Sequence, residues 1–274
     1  MKKLITICAV AGLIMAVTGA AQADLDIDAI IMTSVKDYLD GTPVSDPWGL
    51  EMWFEFVDTG SLHHIDVTLP GGSSVADFTI YGSAGYWDYE SPALYSTLGG
   101  LQGGYGTGDY TFSFENSSDV VLRSVTLDYS GLSEPTGFAD FTNPSYNGET
   151  GISTTPTFTW DVDSGDGDAL GRWLWDSDTD VDVDWDVPVS ITTSWAPVSL
   201  LPSNEYGLEV SVINFKDPVA GPAFPTATVG GDTFAYGLWI EYLNEIEFTT
   251  VPEPVTIAPF GLGSLFLIRR KRRA

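Results

Sequence analysis

Between residues 24 and 250, apolar and polar residues alternate with a period of two over short stretches, and no window of helical length keeps apolar residues three and four apart. Alternating or β-rich runs fall at 25–33, 50–57, 65–69, 110–114 and 120–129. Turn-forming stretches such as Pro70-Gly71-Gly72 and Gly103-Gly104-Tyr105-Gly106 separate them. Short strands at this spacing predict an all-β chain of antiparallel sandwiches. Met52, Phe54 and Phe56 share one strand face, as do Phe112 and Phe114, which assigns them to a core. Glu134-Pro135-Thr136-Gly137 and the stretch from Asn143-Pro144 to Asn147-Gly148 interrupt the pattern with turn chemistry, so two β-sandwich domains are expected, at 24–138 and 139–250.

The ends carry a different pattern. Residues 1–23 begin with Lys2 and Lys3, continue in an apolar run and finish in small residues, the form of a secretory signal peptide. Ala21 and Ala23 supply the small-residue site for signal peptidase, with cleavage expected before Asp24. The lone cysteine, Cys8, lies inside this segment, so no disulfide is expected in the exported chain. Residues 251–274 read Val251-Pro252-Glu253-Pro254, then 14 largely apolar residues, then Arg269-Arg270-Lys271-Arg272-Arg273. As a helix the apolar stretch covers about 21 Å at 1.5 Å per residue, short of the roughly 30 Å hydrocarbon core. The basic cluster is expected to stay cytoplasmic as a stop, which leaves the body outside, in agreement with the signal peptide.

Val251-Pro252-Glu253-Pro254, a short Gly-containing apolar segment and a basic end together resemble the PEP-CTERM sorting signal of bacterial surface proteins. That resemblance implies recognition of Pro252, Glu253 and Pro254 by an exosortase-type transpeptidase. It also implies a transient hold in the inner membrane, then transfer to the cell surface or extracellular matrix, often beside secreted exopolysaccharide.

The second half carries its own resemblance. Phe158 and Trp160 share a strand face, and Leu200, Pro202 and Tyr206 are spaced like a tyrosine corner, in which a buried ring bonds nearby backbone through its hydroxyl. Residues 151–250 thus resemble a fibronectin type III or immunoglobulin-like module, with Trp160 as the early core tryptophan. The first domain is expected to be a jelly-roll or immunoglobulin-like sandwich. An N-terminal signal helix and a short C-terminal membrane helix are expected to flank the two.

Charge narrows the partners. Residues 24–250 hold 37 acids against four bases, Lys36, Arg123, Arg172 and Lys216. Such a body repels phosphate backbones, which excludes nucleic acid. Ten aspartates fall between Asp161 and Asp186. Asp161, Asp163, Asp166 and Asp168 form one run, and Asp178, Asp180, Asp182 and Asp184 another, which in a strand would share one face. Two readings stand: a solvated acidic edge that keeps strands from pairing with other chains, or a site for Ca²⁺, which takes 6–8 oxygen ligands. The spacing is not that of an EF-hand.

Catalysis has little support. The exported chain has no thiol, no Gly-x-Ser-x-Gly elbow and no His-Glu-x-x-His helix. Its only imidazoles are His63 and His64, and neighbours on a strand point to opposite faces, so the two are not expected to chelate one metal. No catalytic residue is assigned, although so acidic a chain leaves a carboxylate-dependent glycosidase as an alternative. Aromatic residues offer a binding role instead. Trp48 after Asp46-Pro47, and Tyr86, Trp87 and Tyr89 in a Gly/Ser-rich region, are candidates for stacking on sugar faces, against a core role for the same rings. The expected function is a non-catalytic surface or matrix protein, with exopolysaccharide binding, assisted by Ca²⁺, as the alternative.

Overall fold

Alternation becomes strands throughout. The structure, a computed structural model, describes residues 25–71, 77–82, 85–179, 181–217 and 224–252. The first half holds β1 (Asp26–Leu39), β2 (Thr42–Asp58), β3 (Leu62–Thr68), β4 (Phe78–Ile80), β5 (Tyr86–Glu90), α1 (Leu98–Tyr105), β6 (Asp109–Asn116) and β7 (Val121–Asp128). The second holds β8 (Asp140–Asn143), β9 (Glu149–Ile152), β10 (Phe158–Asp161), β11 (Ala169–Asp176), β12 (Val181–Val189), β13 (Ser194–Trp195), β14 (Glu205–Phe215), β15 (Thr226–Val229) and β16 (Asp232–Thr250). The described residues are all-β apart from α1, which takes a stretch expected to be a turn. Its glycines disfavour a helix, but Leu101 and Tyr105 lie one turn apart and bury together, and the Thr97 hydroxyl caps the Gly100 N–H at 3.0 Å.

A nine-stranded sheet runs through both halves in the order β12-β11-β14-β16-β1-β2-β5, with β15 and β9 also paired to β16. The boundary expected near residues 134–153 falls after β7, yet this sheet crosses it, because β1 pairs in parallel with β16 over Ala29↔Ala235 to Leu39↔Glu245. Each half adds a small sheet of its own, β4-β3-β6-β7 and β13-β10-β8. Both small sheets cover the same face of the large one. Ile30, Met32, Phe54, Ile65, Phe112 and Phe114 meet in the first core, where Phe54 packs edge-on to Phe112 at 5.4 Å. Phe158, Trp160, Leu208, Val210 and Phe248 meet in the second. Between the two lies fully buried Asn244, whose Oδ1 accepts from the Gly41 N–H at 2.9 Å and whose Nδ2 donates to the Ala139 carbonyl at 2.8 Å.

Tyr206 is buried and its hydroxyl accepts the Leu201 N–H at 2.8 Å, the geometry its spacing foretells. At the end of β16, Val251 still bonds the body through its N–H to the Ile152 carbonyl at 2.8 Å, and Pro252 is exposed. Ala21, Ala23, Asp24, Glu253, Pro254 and the Arg269, Arg270, Lys271, Arg272 and Arg273 cluster lie outside the described residues, as do the segments expected to form the signal and membrane helices. Among the described residues no helix is long and apolar enough to cross a membrane.

Candidate functional site

The other face of the large sheet is built from the odd-numbered positions of its central strands; at one end Ile31, Ile213 and Trp239 bury against Trp53, Phe215 and Phe224, whose ring stacks on Trp239 at 5.8 Å, and the acids lie beyond this third core. Even positions such as Met32, Phe54, Val210 and Ile240 fill the cores, so their neighbours point the other way. Register then aligns acids across strands. Glu51 on β2 faces Thr33 on β1 and Glu90 on β5, while Glu209 on β14 faces Glu245 on β16 and Trp173 on β11. Asp37 and Glu241 lie on the same face between these rows.

The acids of this face act on one another across several strands. On a flat sheet Glu209 and Glu90 stand four strands apart, about 19 Å at 4.7–4.9 Å per strand, and the edge strands β12 and β5 stand about 29 Å apart. Yet Glu90 adds to the rise of Glu209, and Asp182 of β12 to that of Tyr86 on β5, couplings that point to edges bent toward each other on this face. Twist, with bulges in the β1–β2 and β11–β12 pairings, curls the sheet into a trough. A Cβ on Gly171 of β11 would stand 2.5 Å from the Ser211 hydroxyl oxygen, so any larger residue there has to displace that side chain.

Among the described residues the trough acids have no basic partner. Lys36 sits over the Tyr242 ring at 4.5 Å on the core side, Arg123 pairs with Asp232, Arg172 with Asp186 at 2.8 Å and Lys216 with Asp128 at 2.6 Å. Burial and neighbouring carboxylates therefore act together. They push Glu209 up to about 8, burial first, then Glu245, Glu241, Asp37 and Glu90. Asp37 rises to about 6 through burial, then Glu241, Glu245 and Glu90. Burial, then Glu241, Asp37, Glu90 and Glu209, hold Glu51 well above the usual carboxylate range. Burial also raises Glu241, although Thr33 Oγ1 donates to it at 3.1 Å and Ser211 bonds it too; the Trp239 indole N–H lies beside it without full hydrogen-bond geometry.

Aromatic side chains stand on the rims. Trp173 is 44% exposed, its cross-strand neighbour Trp185 57% and Tyr86 49%. Asp182 accepts the Trp173 indole N–H at 2.9 Å, which orients that ring. A groove with apolar ring faces at its edge and protonated or uncompensated carboxyls along its floor suits an uncharged polyhydroxylated chain: C–H faces stack on indoles and hydroxyls bond the carboxyls.

Of the sugar-stacking candidates, Tyr86 alone is on a rim. Trp48 and Trp87 are corrected to core residues, both buried. Asp46-Pro47 does not make a loop; β2 runs through it, and Trp48 packs edge-on to Tyr242 at 5.9 Å. Trp87 faces Phe54 in register and packs against Phe56. Tyr89 is half-buried, stacked on Phe78 at 4.2 Å with its hydroxyl 3.0 Å from that of Tyr105.

The aspartate runs are also placed differently from the expectation. Asp161 ends β10, and Asp163, Asp166 and Asp168 follow in the connection to β11, where Asp166 accepts the Asp163 N–H at 2.8 Å and Asp168 the Phe215 N–H at 3.0 Å. These carboxylates tie down the loop backbone. Asp178 lies in the β11–β12 turn and Asp180 lies outside the described residues. The shared face expected for the second run is corrected by a bulge between Leu174 and Trp175, which leaves Asp182 on the Trp173 side and Asp184 and Asp186 on the other. Among the described residues no three of these aspartates converge as metal ligands.

Sequence reasoning passed over Asp37, Glu51, Glu209, Glu241, Glu245, Trp173 and Trp185. A signal existed in Glu241-Tyr242-Leu243-Asn244-Glu245-Ile246-Glu247-Phe248, where acids alternate with apolar residues, but it marks only a face and not what that face meets.

No family model matches the chain, and no curated protein matches it. Among solved structures it is similar to one described as DIP-gamma IG1+IG2, at 11% identity and a TM-score of 0.22, covering 80% of this chain and 98% of that one. It is also similar to Tp47, the 47-kilodalton lipoprotein of Treponema pallidum, at 11% identity and a TM-score of 0.22, covering 80% of this chain and 51% of that one, so it spans about half of that protein's length.

Proposed function

We propose that the chain is an exported cell-surface or extracellular-matrix protein whose trough holds an uncharged polysaccharide without cutting it. The observation that carries this reading is the pairing of exposed Trp173, Trp185 and Tyr86 with a floor of carboxyls that have no basic partner among the described residues. Uronic acids and sulfated sugars meet repulsion in such a groove, whereas neutral hydroxyls find acceptors. In this reading signal peptidase cuts before Asp24, and an exosortase-type transpeptidase processes the Pro252-Glu253-Pro254 signal. Two features support the processing step: β16 ends at Thr250, and Pro252 is exposed directly after it. The halves act as two sandwich modules fused through the shared sheet, the second fibronectin type III-like, as its Tyr206 corner supports.

Retention on an insoluble neutral glucan or mannan, compared with an acidic polysaccharide, tests the binding. Intact mass and fractionation from native cells, with and without the exosortase-type enzyme, test the sorting. A species running from Asp24 to about residues 251–254, outside the inner membrane, is the expected product. A chain still ending at Ala274 in the membrane, unchanged by loss of the enzyme, contradicts it.

A second reading, an exported glycosidase, draws on Glu209 and Glu245, directly opposed and pushed upward, since such an enzyme sets a protonated acid beside a second carboxyl. Release of reducing ends from a bound glycan, abolished in Glu209→Gln, would replace the non-catalytic reading with this one.

A further inference from the structure

Away from the trough, at one end of the inner strands of the first small sheet, a bulge in β3 brings two histidines and three carboxylates together. The β3–β6 register shifts between Leu62 and His64, so that His64 stands directly opposite Glu115. Neighbouring strand residues ordinarily point apart, and the pair was expected to do so; the extra residue turns His63 back until its Nδ1 lies 3.2 Å from Nδ1 of His64. His64 is 6% exposed and Glu115 9%. The other ring nitrogen of His64, Nε2, lies 3.4 Å from Glu115 Oε2, 3.9 Å from Asp66 Oδ1 and 3.9 Å from Asp119 Oδ1. Ligand atoms of His64, Glu115 and Asp119 all fall within 4.8 Å of one another, the one such group among the described residues.

We propose that His64, Glu115 and Asp119, joined by Asp66, bind a divalent transition-metal ion of the Zn²⁺ class. Tetrahedral Zn²⁺ with bonds of 2.0–2.1 Å sets its ligand atoms about 3.3–3.4 Å apart. The His64–Glu115 separation already has that value; Asp119 must move in by about half an ångström toward His64, and Asp66, 3.9 Å from His64 but outside the group of three, needs a larger shift to complete the tetrahedron. The imidazole selects a borderline metal over Ca²⁺ or Mg²⁺, which prefer oxygen alone. The outer contacts are in place. His63 Nδ1 can accept the proton of His64 Nδ1, leaving the Nε2 lone pair for the metal, and the Thr79 hydroxyl donates to Asp66 Oδ1 at 2.6 Å. Asp119, on the exposed β6–β7 turn, leaves the entry path open. With Cys8 the only cysteine, no disulfide can staple the chain, and an ion here would tie β3 to β6 and the turn after it.

The test loads the full chain, stripped with a chelator, with Zn²⁺ and counts the metal kept after desalting. One Zn²⁺ per chain is expected, with a higher melting temperature that tenfold excess Ca²⁺ does not reproduce. His64→Gln should lose at least tenfold in affinity and His63→Ala about 10- to 100-fold, both with unchanged circular dichroism. Should His64→Gln fail to fold, Asp119→Asn, at an exposed position, takes its place with the same expected loss. Absence of retained Zn²⁺ in the unaltered chain, or equal retention in His64→Gln or Asp119→Asn, overturns the proposal.

Discussion

Glu209 and Glu245 stand directly opposite each other on β14 and β16, on the same face of the sheet and without a basic residue between them. Burial and this opposed carboxyl push Glu209 up to about 8. The pair shows how the trough differs from an ordinary acidic surface: its charges are held together by strand register, out of reach of the four basic residues of the body.

Stability should therefore fall as pH rises. Glu209 binds its proton more tightly in the folded chain than in the unfolded one, where it titrates near 4.5. The folded state then holds the extra proton between about 4.5 and 8, and its advantage, complete below the lower value, is lost as pH passes the upper one. Asp37 adds the same sign between 3.8 and about 6. Melting curves should shift down by several degrees from pH 5 to pH 8, and Glu209→Gln should flatten that slope.

Aromatic residues divide into core and rim. Trp87→Ala, at a buried position, should destabilise by about 3–5 kcal/mol in urea unfolding. Trp185→Ala, at an exposed one, should cost under about 1 kcal/mol, the scale of a cross-strand pair with Trp173.

Asn244 joins the two cores. Its amide serves Gly41 at one end and Ala139 at the other, so Asn244→Ala leaves an N–H and a carbonyl without partners. A loss of about 2 kcal/mol or more in chemical denaturation is expected. Asn244→Asp should also destabilise, since a carboxylate cannot donate to the Ala139 carbonyl.

Strands were legible wherever one face is apolar, as at Met52, Phe54 and Phe56, because a period of two survives any tertiary arrangement. Trp160 and Tyr206 were legible for the same reason and from spacing. Trp48 was not, since Asp46-Pro47 reads as a turn and yet lies within β2, which carries positive φ at Asp46. The trough was hidden for a deeper reason. Thr33 and Glu51 are close in sequence, but Val35 meets Glu241 through the parallel β1–β16 pairing, and no local pattern encodes a contact across that separation. The bulges that part Asp182 from Asp184 and turn His63 toward His64 are equally invisible, because one inserted residue reverses every face after it.

Calorimetric titration of the exported chain with a soluble neutral polysaccharide tests the central claim most directly, with a Trp173→Ala, Trp185→Ala double variant beside it. The account predicts measurable binding to the unaltered chain, at least tenfold weaker in the variant, with equal melting temperatures within a few degrees and no binding to a uronic-acid polymer. Equal affinity in both chains, or preference for the acidic polymer, would contradict it.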